Sequence, residues 1–141
     1  MVNYCLQDIK FLYNRKRSTR RWLNEVAAAE SKSLGDINII FCSDAYILEI
    51  NKKYIGHDYY TDIITFDYCI GSILSGDLFI SIDTVRDNAS FYNSTFDEEL
   101  HRVIVHGILH LIGYDDKSDN ERSVMRSMEN RYLELRRSMN L

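Results

Sequence analysis

Apolar and polar residues follow two different spacings along the chain, and these spacings predict its elements. Strand-like patterns, some alternating and some rich in β-branched residues, lie at 2–9, 36–43, 61–70 and 76–82. Helical spacing predicts helices at 17–31, 45–54, 83–93, about 97–112 and about 117–137. The segment GSILSG (71–76) between the last two strands is predicted to be the turn of a hairpin. Four strands and about five helices in mixed order predict an α+β fold, with one mixed sheet in a single domain over residues 1–141.

The helix predicted at about 97–112 is apolar around most of its circumference. One face carries residues at i, i+3, i+4, i+8 and i+11, namely Leu100, Val103, Ile104, Ile108 and Leu111. Thr95 with Glu98 forms a capping-box pattern at its start, and Gly113 stands where a helix-ending glycine belongs. This pattern predicts a helix buried in the core.

Two histidines on this helix are candidate metal ligands. His106 and His110 are four residues apart, which places both side chains on one face. Such a pair alone is more often part of a core, but Gly113 and Asp116 follow at the seventh and tenth positions after His106. That is the ligand spacing of HExxHxxGxxH, in which a glycine turn returns the chain to supply a third ligand. We therefore predict that His106, His110 and Asp116 bind a metal ion at this buried helix; Asp115 remains an alternative third ligand.

The residue after the first histidine excludes one class of metalloenzyme. Zinc peptidases of this spacing carry a glutamate there as the general base. This chain has Gly107 instead, so an ordinary metalloprotease is not expected.

Composition and charge narrow the setting. The 141 residues include 17 basic and 21 acidic side chains, which gives a net charge of -4. This charge argues against a protein that binds nucleic acid over its whole surface, but it permits local basic patches. No run of about 18 uninterrupted apolar residues is found, and the N-terminus lacks a signal-peptide core, so no membrane association is expected. The three cysteines, Cys5, Cys42 and Cys69, have no CxxC spacing, which favours reduced thiols and a cytoplasmic protein.

Three segments resemble motifs of the YbeY endoribonuclease family. HGILHLIGYDD (106–116) matches the family signature HGxLHLxGYDH at ten of eleven positions, free positions included. INKKYIGHDYYTDIITF resembles LNxxYRGxDxxTDVLSF, and GDLFIS resembles GDIxIS. The resemblance covers roughly residues 36–135. It implies a zinc-dependent endoribonuclease, specific for single strands, that acts in 16S rRNA 3′-end maturation and ribosome quality control with rRNA and the small ribosomal subunit as partners.

Two positions depart from the family pattern. Asp116 stands in place of the third histidine, and a carboxylate is an accepted zinc ligand that adds negative charge to the site. A carboxylate is also a harder ligand than an imidazole, so Mn²⁺ or Fe²⁺ could replace Zn²⁺. We expect one ion per chain. Ile55 stands where the family commonly has an arginine, which would be a natural phosphate partner.

Several further residues are candidates with weaker patterns. Thr61, Asp62 and Asp77 are candidates for a substrate cleft, although Thr-Asp before a strand is also ordinary turn chemistry. His57 and His101 are expected to be surface or capping residues. The basic segment 10–21 is a candidate RNA-contact patch, and the alternative is a solvated helix face; its basic residues are Lys10, Arg15, Lys16, Arg17, Arg20 and Arg21.

Three functions remain open from the sequence. The first is the endoribonuclease, whose catalytic residues the sequence does not identify. The second is a non-catalytic ribosome-assembly factor in which the metal is structural, an alternative favoured by Ile55 and the acidic net charge. A third, weaker interpretation is a metal hydrolase of small substrates.

Overall fold

The computed structural model describes residues 1–57 and 61–141, and these contain the predicted four strands and five helices. The strands are β1 (Val2–Leu6), β2 (Ser33–Cys42), β3 (Ile63–Asp67) and β4 (Ile73–Ser81). The helices are α1 (Lys16–Ala29), α2 (Asp44–Ile50), α3 (Ile82–Phe91), α4 (Phe96–Ile112) and α5 (Asp119–Ser138). A π-helical turn, Asn51–Ile55, continues α2. The predicted α+β class is confirmed.

The sheet is mixed and places β3 at one edge. Its order is β1-β2-β4-β3, with β1, β2 and β4 parallel and β3 antiparallel to β4. In the β3–β4 pair, Ile64 lies opposite Phe79 and Phe66 lies opposite Asp77. The antiparallel edge strand brings Thr61 and Asp62, which directly precede it, beside the His106 face of α4.

Helix α4 lies directly against the sheet, as its apolar circumference predicts. Ile104, Ile108 and Leu109 are fully buried. Two glycines allow the close approach: a Cβ on Gly107 would lie 2.8 Å from Ile63 Cδ1 in the sheet, and one on Gly76 would lie 3.0 Å from Leu111 Cδ2 of α4. Within the described part of the chain, none of the helices is both long and apolar enough to cross a membrane.

The prediction that the hairpin turn spans residues 71–76 is wrong in position. The tight turn runs from Ile70 to Ile73, whose backbones exchange hydrogen bonds of 3.1 and 3.0 Å. β4 already begins at Ile73 because β2 extends back to Ser33 and offers it pairing partners. Leu74 in the predicted turn is buried and pairs with Leu34. The glycines and serines of this segment are typical of turns, so the sequence pattern did not indicate a strand.

His101 is buried, which contradicts the expected surface or capping position. Only 4% of its surface is exposed. Its Nε2 lies 3.3 Å from the Tyr13 hydroxyl, and its ring packs edge-on against Trp22 at 5.8 Å between centroids. Burial, reinforced by the positive charge of Arg136, lowers the pKa of His101 to about 4.

This buried imidazole makes folding sensitive to mild acid. Between pH 6.5 and about 4 the unfolded chain binds a proton at His101 that the folded chain does not, so stability falls as the pH falls. We expect the free energy of unfolding of His101→Gln to fall less steeply with pH in this range than that of wild type, by up to roughly 1 kcal/mol per pH unit. Urea denaturation at pH 7 and pH 5 measures the difference, with His57→Gln as the control at an exposed histidine. Equal pH dependence in wild type and His101→Gln would contradict the assignment.

Candidate metal centre

Helix α4 and the turn after it bring the three predicted ligands together. Thr95 Oγ1 accepts a hydrogen bond from Glu98 N at 3.1 Å and fixes the start of the helix. Gly113 ends it with φ 125°, a left-handed conformation that side chains rarely adopt. The chain then reverses and carries Asp116 back to the face that presents His106 and His110.

The ligand atoms are spaced as a single metal ion requires. The Nε2 atoms of His106 and His110 are 3.0 Å apart, and Asp116 Oδ2 lies 3.2 and 3.3 Å from them, respectively. In a tetrahedral site with bonds of about 2.0–2.1 Å, neighbouring ligand atoms are about 3.4 Å apart. The three residues could therefore hold one metal ion with little movement. Asp115 is exposed and is not part of this group.

A buried carboxylate on α5 orients the first histidine. His106 Nδ1 donates a hydrogen bond to Glu129 Oε2 at 2.6 Å, which leaves the lone pair on Nε2. Burial alone would lower the pKa of His106, but the hydrogen bond and charge of Glu129, with the charges of Asp62 and Asp116, raise it above its usual value. The carboxylates around His106 therefore favour positive charge at this site.

Glu129 is itself held by two arginines. Arg102 Nη1 donates to Glu129 Oε1 at 2.9 Å, and Arg126 Nη1 lies 3.5 Å from the same oxygen. Burial would raise the pKa of Glu129, but the hydrogen bonds from His106 and Arg102 hold it below its usual value. The carboxylate thus stays ionised and keeps accepting from His106.

A cleft of about 630 Å³ opens beside the three ligands, between β3 and the turn after α4. The predicted cleft candidates Thr61 and Asp62 both line it, and so does Ile55. Burial raises the pKa of Asp62, although the nearby His106 opposes the shift. Lys117, which the sequence interpretation did not single out, supplies an exposed ammonium group to the same lining.

Asp77 does not join this cleft. Its neighbours Gly76 and Leu78 face α4, so Asp77 projects from the opposite face of the sheet. There its Oδ1 accepts a hydrogen bond from Asn38 Nδ2 at 2.9 Å. The structure gives Asp77 a cross-strand partner and does not bring it to the substrate cleft.

The basic segment lies at the start of α1 and apart from the cleft lining. All six of its basic side chains are exposed: Lys10, Arg15, Lys16, Arg17, Arg20 and Arg21. Arg15 pairs with Asp97 at 3.3 Å, and the Lys16 ammonium lies 5.6 Å from the centre of the Tyr4 ring. These residues remain a candidate patch for RNA.

The sequence interpretation missed Glu129. A signal was present, because Glu129 falls on the face of α5 that buries Met125, Tyr132 and Leu133. A carboxylate within a buried helix face requires a partner. The sequence did not show that this partner is His106, because the two residues are 23 positions apart.

Comparison with known proteins identifies relatives of this chain. Residues 6–136 match the model of the family described as Endoribonuclease YbeY. Endoribonuclease YbeY of Bacteroides thetaiotaomicron is 55% identical over 135 residues, covering 96% of this chain and 98% of the relative. The Cytophaga hutchinsonii protein of the same name is 47% identical, with 96% of each chain covered. A solution structure of a Thermotoga maritima protein is similar with a TM-score of 0.67, 29% identity, and coverage of 95% of this chain and 87% of that one.

Removing the charge on Glu129 tests its role toward the metal. We expect Glu129→Gln to weaken zinc binding by about 10- to 100-fold, since a neutral amide no longer orients and polarises His106. Competition with a chromophoric chelator measures the affinity. Glu134→Gln, an exposed position on the same helix, is the matched control. Unchanged affinity in a folded Glu129→Gln protein would show that the His106 contact does not serve the metal.

Proposed function

The chain belongs to the endoribonuclease YbeY family, and on that premise we propose that it is a zinc-dependent endoribonuclease specific for single-stranded RNA. Its proposed role is 16S rRNA 3′-end maturation and ribosome quality control in the cytoplasm, in contact with the small ribosomal subunit. The observation that carries the proposal is the ligand group that opens into a cleft: His106, His110 and Asp116 all line it.

The donor set suits zinc at one ion per chain, with Mn²⁺ or Fe²⁺ as substitutes. Bound there, zinc would supply Lewis-acid polarisation of a phosphoryl oxygen and acidification of a water molecule. The protein itself holds the two imidazoles and the carboxylate at the spacing that one metal ion requires. Glu129 does this for His106 by accepting a hydrogen bond from its Nδ1.

Other cleft residues are proposed to handle the substrate. The Lys117 ammonium is placed to attract a phosphate group at the cleft mouth, where Ile55 supplies no charge. Thr61 and Asp62 lie at the start of β3 and can orient the RNA strand against the ligands. Burial raises the pKa of Asp62, so this cleft carboxyl keeps a proton more readily than an exposed aspartate does.

A second candidate function is a non-catalytic ribosome-assembly factor with a structural metal. Ile55 favours it, because the cleft lining carries an aliphatic side chain where a phosphate-binding arginine would serve a nuclease. The net charge of -4 favours it as well. In that case the metal joins α4 to its following turn without acting on RNA.

Cleavage of RNA distinguishes the two functions. We expect the zinc-loaded protein to cut single-stranded rRNA fragments and to leave duplexes of the same sequence intact. His110→Ala removes one ligand and should lower both metal content and cleavage at least 100-fold. Gel analysis with metal quantification provides the measurement. Stoichiometric zinc without cleavage would favour the assembly factor, and failure to bind any transition metal would contradict both functions.

Substitution of the acidic ligand tests the ligand set itself. Asp116→His exchanges an anionic ligand for a neutral one, so the formal charge with a divalent ion rises from about +1 to +2. We expect retained metal, narrower preference for zinc over manganese, and a pH–rate profile displaced to lower pH. Asp116→Ala should lose metal. Elemental analysis showing equal metal content in wild type and both variants would remove Asp116 from the ligand set.

A further inference from the structure

A second charged cavity lies where α1 begins, α4 begins and α5 ends. Its volume is about 220 Å³. Three arginines line it together with an imidazole and two carboxylates: Arg15, Arg136, Arg137, His101, Asp97 and Glu98. The metal ligands are not among the described residues that line it. The proposed cleavage chemistry does not use this cavity.

The arginines of this cavity differ in how their charges are compensated. Arg15 lies 3.3 Å from Asp97, and Arg137 lies 3.8 Å from Glu98. Arg136 forms no ion pair with any described residue, and its Nε and Nη2 atoms are buried without a hydrogen-bond partner in the described chain. Arg137 is also paired with Glu134 at 3.0 Å, so Arg136 is the arginine of this cavity that has no carboxylate partner among the described residues.

The side chain of Arg136 is held in place without an acceptor. Its guanidinium carbon lies 5.7 Å from the centre of the Trp22 ring, which is fully buried and anchored by a 2.8 Å hydrogen bond from its Nε1 to the Tyr132 carbonyl oxygen. An aromatic face attracts a cation but cannot accept all of its N–H groups. Burying a donor without an acceptor is unfavourable. Because Nε and Nη2 have almost no accessible surface, an anion in the cavity would approach the guanidinium through its remaining nitrogen, Nη1, and supply the missing negative charge.

Two further cavities lie between this site and the metal centre, along the contact between α4 and α5. The cavity next to the metal cleft shares Asp62 and His106 with it. The following cavity shares Arg102 and Arg126 with that one, and it shares Arg137 with the Arg136 cavity. Along α4, His101 and His106 are about 7.5 Å apart in axial rise. One extended strand could thus occupy both ends of this contact.

We propose that the Arg136 cavity binds a backbone phosphate of the single-stranded RNA whose scissile bond lies at the metal centre. This inference rests on the proposed endoribonuclease function. Exposed basic residues continue from the cavity through Arg15 along the start of α1, so the strand would leave the site over a positive surface. Arg136 is a positioning residue in this scheme, since it acts on a phosphate away from the reaction.

The single tryptophan of the chain reports directly on Arg136. We expect inorganic phosphate to change Trp22 fluorescence saturably in the metal-loaded protein. The response should be lost in Arg136→Gln and weakened in Arg136→Lys. Arg131→Gln is the matched control, because Arg131 lies on the same helix over the Tyr132 ring and does not line the cavity. An unsaturable response, or one that persists in a folded Arg136→Gln protein, would overturn the anion site.

Cleavage kinetics test whether the anion is part of RNA. With long single-stranded substrates, Arg136→Gln should raise KM about 3- to 10-fold and leave kcat within about twofold. Loss of one phosphate contact should also reduce the slope of log kcat/KM against log salt by about 0.7. The KM effect should vanish when the substrate is trimmed so that it no longer reaches the cavity. Arg131→Gln should change none of these values.

The outcomes separate this inference from the function on which it rests. A saturable phosphate response with unchanged KM in Arg136→Gln would overturn the RNA assignment, and so would a KM effect that persists on trimmed substrates. If wild type cleaves no RNA, the proposed function fails, and fluorescence anisotropy with labelled RNA then decides the inference. Weaker RNA binding by Arg136→Gln than by Arg131→Gln supports it, and equal binding overturns it.

Discussion

The close contact between α4 and the sheet is the constraint on which the rest of the structure depends. Gly107 and Gly76 leave no room for a side chain between helix and strands, so the helix axis is fixed relative to β3 and β4. With the apolar faces of α4 buried there, its remaining face must carry His106 and His110 toward the edge of the sheet. The contact also explains why position 107 holds no general base: a carboxylate there would meet Ile63 and Leu78 in the core.

The edge position of β3 turns this packing into a cleft. Because β3 pairs with β4 on one side, its other side borders the cleft beside the metal ligands. The turn after α4 forms the opposite wall and contributes Asp116 and Lys117. The ligands and the walls of the cleft therefore come from segments that the same helix–sheet contact holds in place. A change in the distance between α4 and the sheet would displace the ligands and the cleft together.

Local patterns in the sequence predicted most of the fold, and the errors have physical causes. The helices and strands follow from spacing, and the ligand group follows from a motif confined to residues 106–116. The hairpin turn was misplaced because strand pairing with β2 outweighs the turn preference of small polar residues. Asp77 and His101 were misjudged because the side of an element that a residue faces depends on tertiary packing. Glu129 bonds to His106 and Arg136 lies over Trp22, and no local pattern identifies contacts between residues so far apart in sequence.

The hydrogen bond from His106 to Glu129 has a consequence for how the protein matures. All three metal ligands lie within eleven residues, but Glu129 belongs to α5, which follows them along the chain. During synthesis the ligands therefore emerge before the carboxylate that orients the first of them. Until α5 docks, His106 lacks the carboxylate that orients it. The candidate metal centre is therefore complete only after the C-terminal helix has packed against α4.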